Sequence, residues 1–167
     1  GAWEPRYTFY YGSIFFLAAC RLLGIGWTGA AIIQVVLAGF ALIRLGRLAE
    51  NMTGSAVAGV FALLAWTCAY PAQAWHWSLY TESLSASIGV FFLAAVWQIG
   101  SGNRKAVWIA ALLALGLAFL RPTGMVFPLA GLVFLTARKP ALAIRLSLGL
   151  LPLLAWLLFA NRDMLDS

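Results

Sequence analysis

Three short segments hold most of the side chains of this 167-residue chain that could take part in chemistry. Residues 4–7 offer a carboxylate and a guanidinium. Residues 75–83 offer the imidazole of His76, the carboxylate of Glu82 and several aromatic rings. Residues 120–124 carry a single arginine between apolar runs. Such polar residues beside apolar runs are the first place to look for a functional site.

Two interpretations fit the segment at residues 75–83. In the functional one, the rings of Trp77 and Tyr80 stack on sugar rings, while His76 or Glu82 hydrogen-bonds hydroxyl groups or orients a phosphate-bearing donor. In the structural one, Glu82 lies in the first turn of a helix, where a carboxylate interacts favourably with the helix dipole, beneath a belt of aromatic residues. The sequence leaves both open.

Arg121 is predicted to lie in a broken helix below the membrane surface. Pro122 and Gly124 break the helix, and the flanking apolar runs hold only about 15 residues, or roughly 22 Å, against a hydrocarbon core of roughly 30 Å. Non-helical backbone at that depth must be surrounded by protein or by a wet cavity. An arginine there needs an anion, either the Glu82 carboxylate or a lipid phosphate gripped by two hydrogen bonds.

The segment with Glu4 and Arg6 is by default a solvated turn, and both residues face the same cavity as Arg121 if the following segment is interfacial. The chain has no Gly-rich phosphate loop, no His/Cys cluster, no Ser-His-Asp set and no acidic pair. It therefore predicts no metal site, although metal dependence cannot be read from it. Glu4, or a carboxylate earlier in a longer chain, is the candidate base.

Composition makes this chain an integral membrane protein. It is 63% hydrophobic and 10% charged, with a mean hydropathy of +0.92. A soluble domain has about 45–50% apolar and about 25% charged residues, so a cytosolic enzyme, a disulfide scaffold and a disordered tail are excluded. The net charge of +6 does not indicate nucleic acid, because the basic residues lie one or two at a time between apolar runs.

The predicted fold is an all-α, polytopic transmembrane bundle, a single domain over residues 1–167. Six apolar blocks are expected to span the membrane: 28–43, 54–70, 83–99, 106–120, 124–137 and 141–160. An amphipathic segment at residues 8–23 precedes them, and an interfacial or juxtamembrane helix is preferred there over a span. The polar, aromatic start indicates an internal segment of a longer protein.

Basic residues set the predicted orientation. Pairs follow the first, third and fifth blocks, namely Arg44 with Arg47, Arg104 with Lys105, and Arg138 with Lys139. If every block crosses, all three pairs fall on one side, which the positive-inside rule makes cytoplasmic. All three candidate segments then lie on the exterior side. Two further arginines, Arg21 and Arg145, are interpreted as cations that extend along the helices to reach lipid headgroups.

Two motifs resemble a known family. Residues 80–84 read Tyr-Thr-Glu-Ser-Leu, and residues 115–124 read Leu-Gly-Leu-Ala-Phe-Leu-Arg-Pro-Thr-Gly. At this spacing they resemble the polytopic glycosyltransferases of the GT-C fold, the family 39-like and GPI-mannosyltransferase-like enzymes. The helix around Gln34 that ends in Arg44 and Arg47 is similar to the second transmembrane helix of that group. The resemblance covers roughly residues 7–162.

The resemblance implies a transferase that takes a sugar from a polyprenyl-phosphate donor on the exterior face. It implies that Glu82 and Arg121 line the cavity near the donor head group, and it leaves His76 without a role. The family's essential acidic residue lies in the first exterior loop, which here is represented by its end, with Glu4 and no Asp. A carboxylate would deprotonate the acceptor, and Arg121, with Arg6 second, would stabilise the leaving phosphate.

Two rival functions remain at this point. A transporter or flippase of a lipid-linked substrate also uses broken helices and intramembrane arginine, and an inverted repeat that would favour it is not found in these residues. A non-catalytic membrane scaffold would only pack partner helices. Membrane lipids are the expected partners. An Ala-, Leu- and Gly-rich, Lys-poor composition favours a bacterial inner membrane, with the active face periplasmic.

Overall fold

The structure, a computed structural model, is all-α over the residues it describes, 11–69, 81–120 and 122–160, with no strand among them. Seven α-helices and one short 3-10 helix follow in order: α1 (Tyr11–Leu22), α2 (Gly26–Thr53), α3 (Ala56–Cys68), α4 (Thr81–Gly100), α5 (Ala106–Leu120), the 3-10 turn Pro122–Met125, α6 (Val126–Arg138) and α7 (Pro140–Ala160). The predicted all-α class is confirmed for this part of the chain.

Two of the described helices are long and apolar enough to cross a membrane, Gly26–Thr53 and Glu82–Gly100. The helices α1, α3, α5 and α6 are also apolar but have 12 to 15 residues each. The helix α1, for example, has 12 residues and rises about 18 Å, less than the roughly 30 Å hydrocarbon core. Helix length thus establishes two candidate crossings and leaves the six-span arrangement a prediction.

The helix α2 runs well past the end of the predicted block at residue 43. It has 28 residues and ends at Thr53, where Gly54 takes a φ of 71° and donates its backbone N–H to the carbonyl of Glu50. Arg44 and Arg47 therefore lie on the helix, and the expectation that they follow it in a loop is wrong. Hydropathy falls after residue 43, but the residues that follow are good helix formers until Gly54 stops the helix.

The core lies where α4, α5, α6 and α7 pack together. Its largest fully buried apolar side chains are Phe92, Ile99, Leu117, Leu135 and Leu146. Glycines let the helices approach closely, because a Cβ on Gly131 would lie 2.8 Å from the Phe92 ring. Side-chain packing of this kind associates helices where lipid tails are as apolar as the core.

Glycine contacts also give the direction of the helices. Along α4 and α6, Gly89 meets Phe127, Phe92 meets Gly131, and Gly100 meets Phe134, so the two helices run the same way. The helix α5 runs in the opposite direction and leads through the turn Pro122–Met125 into α6. The start of α4, the end of α5 and the turn Pro122–Met125 therefore share one end of the bundle, called here the Glu82 end.

The basic residues that were predicted to share one side lie together in the structure. They are at the end of the bundle opposite the Glu82 end, called here the basic end. The guanidinium of Arg138 lies 5.7 Å from the ring centroid of Trp97 and 5.1 Å from that of Phe134. Arg44 and Arg47 line a small cleft that also contacts Trp97. The loop that carries Arg104 and Lys105 directly follows the end of α4.

Candidate functional site

Of the predicted site residues, the structure describes Glu82. The others lie outside the described residues: Glu4, Arg6, His76, Trp77, Tyr80 and Arg121. The geometry of the candidate site is therefore that of the helix ends that surround these positions.

Glu82 lies in the first turn of α4 and is half-buried. The prediction that it occupies a helix start is confirmed. A carboxylate there interacts favourably with the unsatisfied N–H groups and the dipole of the helix. Because this helix start lies at one end of the bundle, the carboxylate suits either a capping role or a binding role.

Three serines follow Glu82 and are buried: Ser83, Ser85 and Ser87. The hydroxyl of Ser87 donates to the carbonyl of Ser83 at 2.9 Å, a bond within the helix. The Oγ of Ser85 is buried and has no hydrogen-bond partner among the described residues. Gly89, one turn along, lets α6 approach closely, since a Cβ there would lie 2.6 Å from the Phe127 ring.

The helix break predicted at residues 122–124 is confirmed. The helix α5 ends at Leu120, and a 3-10 turn over Pro122–Met125 leads into α6. Gly124 is buried so close to α5 that a Cβ on it would lie 2.5 Å from the carbonyl oxygen of Leu117. Only glycine fits that contact without movement, so the contact fixes where the turn sits against α5.

Helix lengths give the height of this break within the bundle. From Glu82 to Gly100, α4 rises about 27 Å, whereas α5 rises about 21 Å from Ala106 to Leu120. The short loop 101–105 joins the two helices at the basic end. The end of α5 therefore lies about 6 Å deeper in the bundle than Glu82.

The start of α1 closes one side of the Glu82 end. A Cβ on Gly12 would lie 2.9 Å from the backbone of Phe119 and 3.0 Å from that of Leu120, so the first turn of α1 rests on the last turn of α5. At the other end of α1, Arg21 is exposed and shares a groove with Trp27. An exposed arginine beside a tryptophan fits the predicted contact with lipid headgroups.

Gln34 is a buried polar residue that the list of predicted site residues does not include. It is 2% exposed, and its Oε1 has no hydrogen-bond partner in the described part of the chain. Leu48, on the same buried stripe of α2, lines a groove with Leu93, Val96 and Trp97 of α4. Gln34 lies 14 residues, or about 21 Å along the helix axis, before Leu48.

A sequence signal for Gln34 does exist. It is the one polar side chain between Thr28 and Arg44. Polar side chains inside apolar helices are costly and mark functional positions in membrane proteins. Ser85 carries a weaker signal of the same kind. Gln34 and Ser85 thus offer a buried amide oxygen and a buried hydroxyl whose hydrogen-bonding capacity no described residue uses.

Together these groups can recognise a hydroxyl-rich molecule. A carboxylate, an amide oxygen and a hydroxyl accept or donate hydrogen bonds without a fixed charge on the ligand. Within the described residues, no group of three or more His, Cys, Asp or Glu could hold a metal ion. Glu50 and Glu82, the acidic residues of this part of the chain, lie on different helices and near opposite ends of the bundle.

Comparisons with known proteins supply no relative for this chain. No protein-family model matches it, no curated protein matches it, and no solved structure matches it. No relative therefore supplies a substrate or a reaction.

Proposed function

We propose that this chain is part of an integral membrane glycosyltransferase of the GT-C type. It moves a sugar from a polyprenyl-phosphate donor to an acceptor at the Glu82 end. One observation carries the proposal. The helix start that holds the Thr-Glu motif and the helix break at the Arg-Pro-Thr-Gly motif lie at the same end of one bundle. These are the motifs on which the family resemblance rests.

The proposal includes six membrane crossings with α1 at the interface. It is supported by two helices of spanning length and by large apolar side chains that face outward, such as Phe61, Leu112 and Val133, which are 67%, 72% and 72% exposed. A large exposed apolar surface is typical of a protein that contacts lipid. The basic end faces the cytoplasm, by the positive-inside rule, and the Glu82 end faces the exterior. For a bacterial inner membrane, that exterior is the periplasm.

In the proposed reaction, a carboxylate removes the proton of the acceptor hydroxyl. The candidate in this sequence is Glu4. The acceptor oxygen attacks the anomeric carbon, and the bond from that carbon to the phosphate oxygen of the donor breaks. The electron pair leaves with the lipid phosphate, whose charge Arg121 stabilises, with Arg6 second. No nucleotide takes part, and the donor is a substrate rather than a resident cofactor.

The sugar itself is held by hydrogen-bonding groups and by aromatic rings. Glu82 hydrogen-bonds the donor sugar or orients Arg121, and the rings of Trp77 and Tyr80 stack on sugar faces, with His76 beside them. Gln34 and Ser85 add an amide oxygen and a hydroxyl whose hydrogen-bonding capacity no described residue uses. A sugar hydroxyl would satisfy such a buried group, which otherwise costs about 1–3 kcal/mol.

The test uses the natural full-length protein reconstituted in liposomes with polyprenyl-phosphate sugars as donors. We expect Arg121→Ala to lower transfer at least 100-fold, because removing one group that stabilises developing charge costs about 10²–10³ in rate. Arg47→Ala, at the basic end, is the matched control and should retain transfer. Wild-type turnover in Arg121→Ala would refute the phosphate role.

A second variant separates the two interpretations of Glu82. Glu82→Gln keeps the size of the side chain and removes its charge. A tenfold or larger loss of transfer with an unchanged melting temperature supports a role in binding the donor. An unchanged rate with a lower melting temperature would make Glu82 a helix cap.

The same liposomes distinguish the rival functions. A donor that moves between leaflets without losing its sugar would replace the transferase by a flippase. A protein that neither binds nor consumes any lipid-linked sugar would be a scaffold. Both results overturn the proposed reaction.

A further inference from the structure

A groove that holds two arginines lies at the basic end, between α5 and α7, away from the Glu82 end. Its volume is about 490 Å³. Six residues line it: Arg104, Val107, Trp108, Arg145, Leu148 and Gly149. None of them belongs to the proposed sugar-transfer site.

The register of two parallel helices forms this groove. Both α5 and α7 start at the basic end, and Arg104 and Trp108 face Arg145 and Gly149 across the gap. The gap narrows toward the middle of the bundle, where a Cβ on Gly149 would lie 3.3 Å from the Cβ of Ala111. The groove is therefore closed on one side by helix packing and holds its two arginines toward the basic end.

The charges in the groove are not balanced by the described part of the protein. Arg104 and Arg145 are both exposed, and neither forms an ion pair with a described carboxylate. The acidic residues of that part are Glu50, on α2, and Glu82, at the far end of α4. Two guanidinium groups on one groove attract an anion that can accept several hydrogen bonds, and phosphate matches their planar geometry.

The rest of the groove is apolar and faces outward. Trp108 is 76% exposed and Leu148 is 59% exposed, and Leu112, one turn along α5 from Trp108, is 72% exposed. A tryptophan beside arginines at the end of apolar helices is typical of the headgroup level of a membrane. Leu112 and Leu148 continue the apolar surface from there toward the middle of the bundle.

We propose that this groove is a binding site for an anionic phospholipid of the cytoplasmic leaflet. Arg104 and Arg145 hold its phosphate, and an acyl chain lies along Trp108 and Leu148. Basic pockets between transmembrane helices on that side are suited to anionic lipid headgroups. A zwitterionic lipid also carries a phosphate, but its choline brings a positive charge beside the two guanidinium groups. The site rests on the membrane placement in the proposed function and is independent of sugar transfer.

The test measures lipid binding by the purified full-length protein in detergent. Phosphatidylglycerol with brominated acyl chains is titrated, with brominated phosphatidylcholine in parallel, and quenching of tryptophan fluorescence is followed. We expect at least a tenfold preference for phosphatidylglycerol. The double variant Arg104→Gln/Arg145→Gln should lose that preference and keep the melting temperature it has without lipid.

A matched control removes the same charge from the same end. Arg44→Gln/Arg47→Gln should retain the preference for phosphatidylglycerol. Equal losses in the two double variants would show that only the overall charge of the basic end matters, and would overturn the site. Trp108→Phe gives a second readout, because it should remove the largest share of the quenching while binding persists. Unchanged quenching in that variant would also overturn the site.

Two further arms separate the remaining explanations. Soluble glycerol 3-phosphate at millimolar concentration should not displace the lipid, and full displacement would make this a site for free phosphate. If the protein prefers phosphatidylglycerol but transfers no sugar, the lipid site stands and the proposed reaction fails. If alkaline carbonate releases the protein from membranes, the membrane placement and the lipid site fail together.

Discussion

Replacing Gly124 by alanine tests the contact that fixes the broken helix against α5. The added Cβ would lie 2.5 Å from the carbonyl oxygen of Leu117 and 3.1 Å from its carbonyl carbon. That oxygen belongs to helix backbone and cannot rotate away, so the turn must shift. Overpacking costs about 1–3 kcal/mol, and losing a glycine returns about 0.5–1 kcal/mol by reducing unfolded-state entropy. We expect a net loss of about 0.5–2 kcal/mol in the free energy of unfolding.

Gly116→Ala is the matched control. Gly116 lies in α5 next to Leu117, and nothing lies within 4 Å of a Cβ built on it. This variant should gain about 0.5–1 kcal/mol, because alanine favours the helix. For a chain of this size, 1 kcal/mol corresponds to about 2–4 °C. In a thermal melt in detergent, followed by tryptophan fluorescence, Gly124→Ala should therefore unfold several degrees below Gly116→Ala. Equal midpoints, or a more stable Gly124→Ala, would refute the contact.

Two other predictions concern topology and helix ends. Cys68 is exposed at the end of α3, and a membrane-impermeant maleimide should label it from the exterior, whereas Ser101→Cys should react from the cytoplasm. Labelling of both from one side would contradict the proposed orientation. Gly54 ends α2 with a φ of 71°, so Gly54→Ala should lower the free energy of unfolding by about 1–2 kcal/mol. Melting at the wild-type temperature would show that the αL end of α2 contributes no stability.

Local signals were sufficient to predict the broken helix. The predicted block at residues 106–120 coincides with α5, and the break follows where Pro122 and Gly124 stand. Proline lacks the N–H that an α-helix needs, and such an effect depends on few neighbours. The position of Glu82 in the first turn of α4 was predictable for the same reason.

Features that depend on tertiary packing were not predictable. Hydropathy ended the first block at residue 43, but α2 continues to Thr53 on residues that are polar and still favour a helix. Gln34 was seen in the sequence as part of a helix, yet its burial depends on which stripe of α2 faces α4. A single sequence does not reveal that choice, since an exposed glutamine fits the same pattern.

The unequal lengths of the helices have a consequence for the surrounding bilayer. The helix α2 is about 42 Å long, whereas α3 and α6, with 13 residues each, are about 20 Å long. In the proposed six-span arrangement, the apolar part of α2, which ends near residue 43, matches a hydrocarbon core of roughly 30 Å, whereas α3 and α6 are too short for it. The short helices are then accommodated by local thinning of the lipid. The protein would then thin the membrane most beside the broken helix. The acyl-chain length of the surrounding lipid would therefore set how easily a lipid headgroup reaches the level of that break.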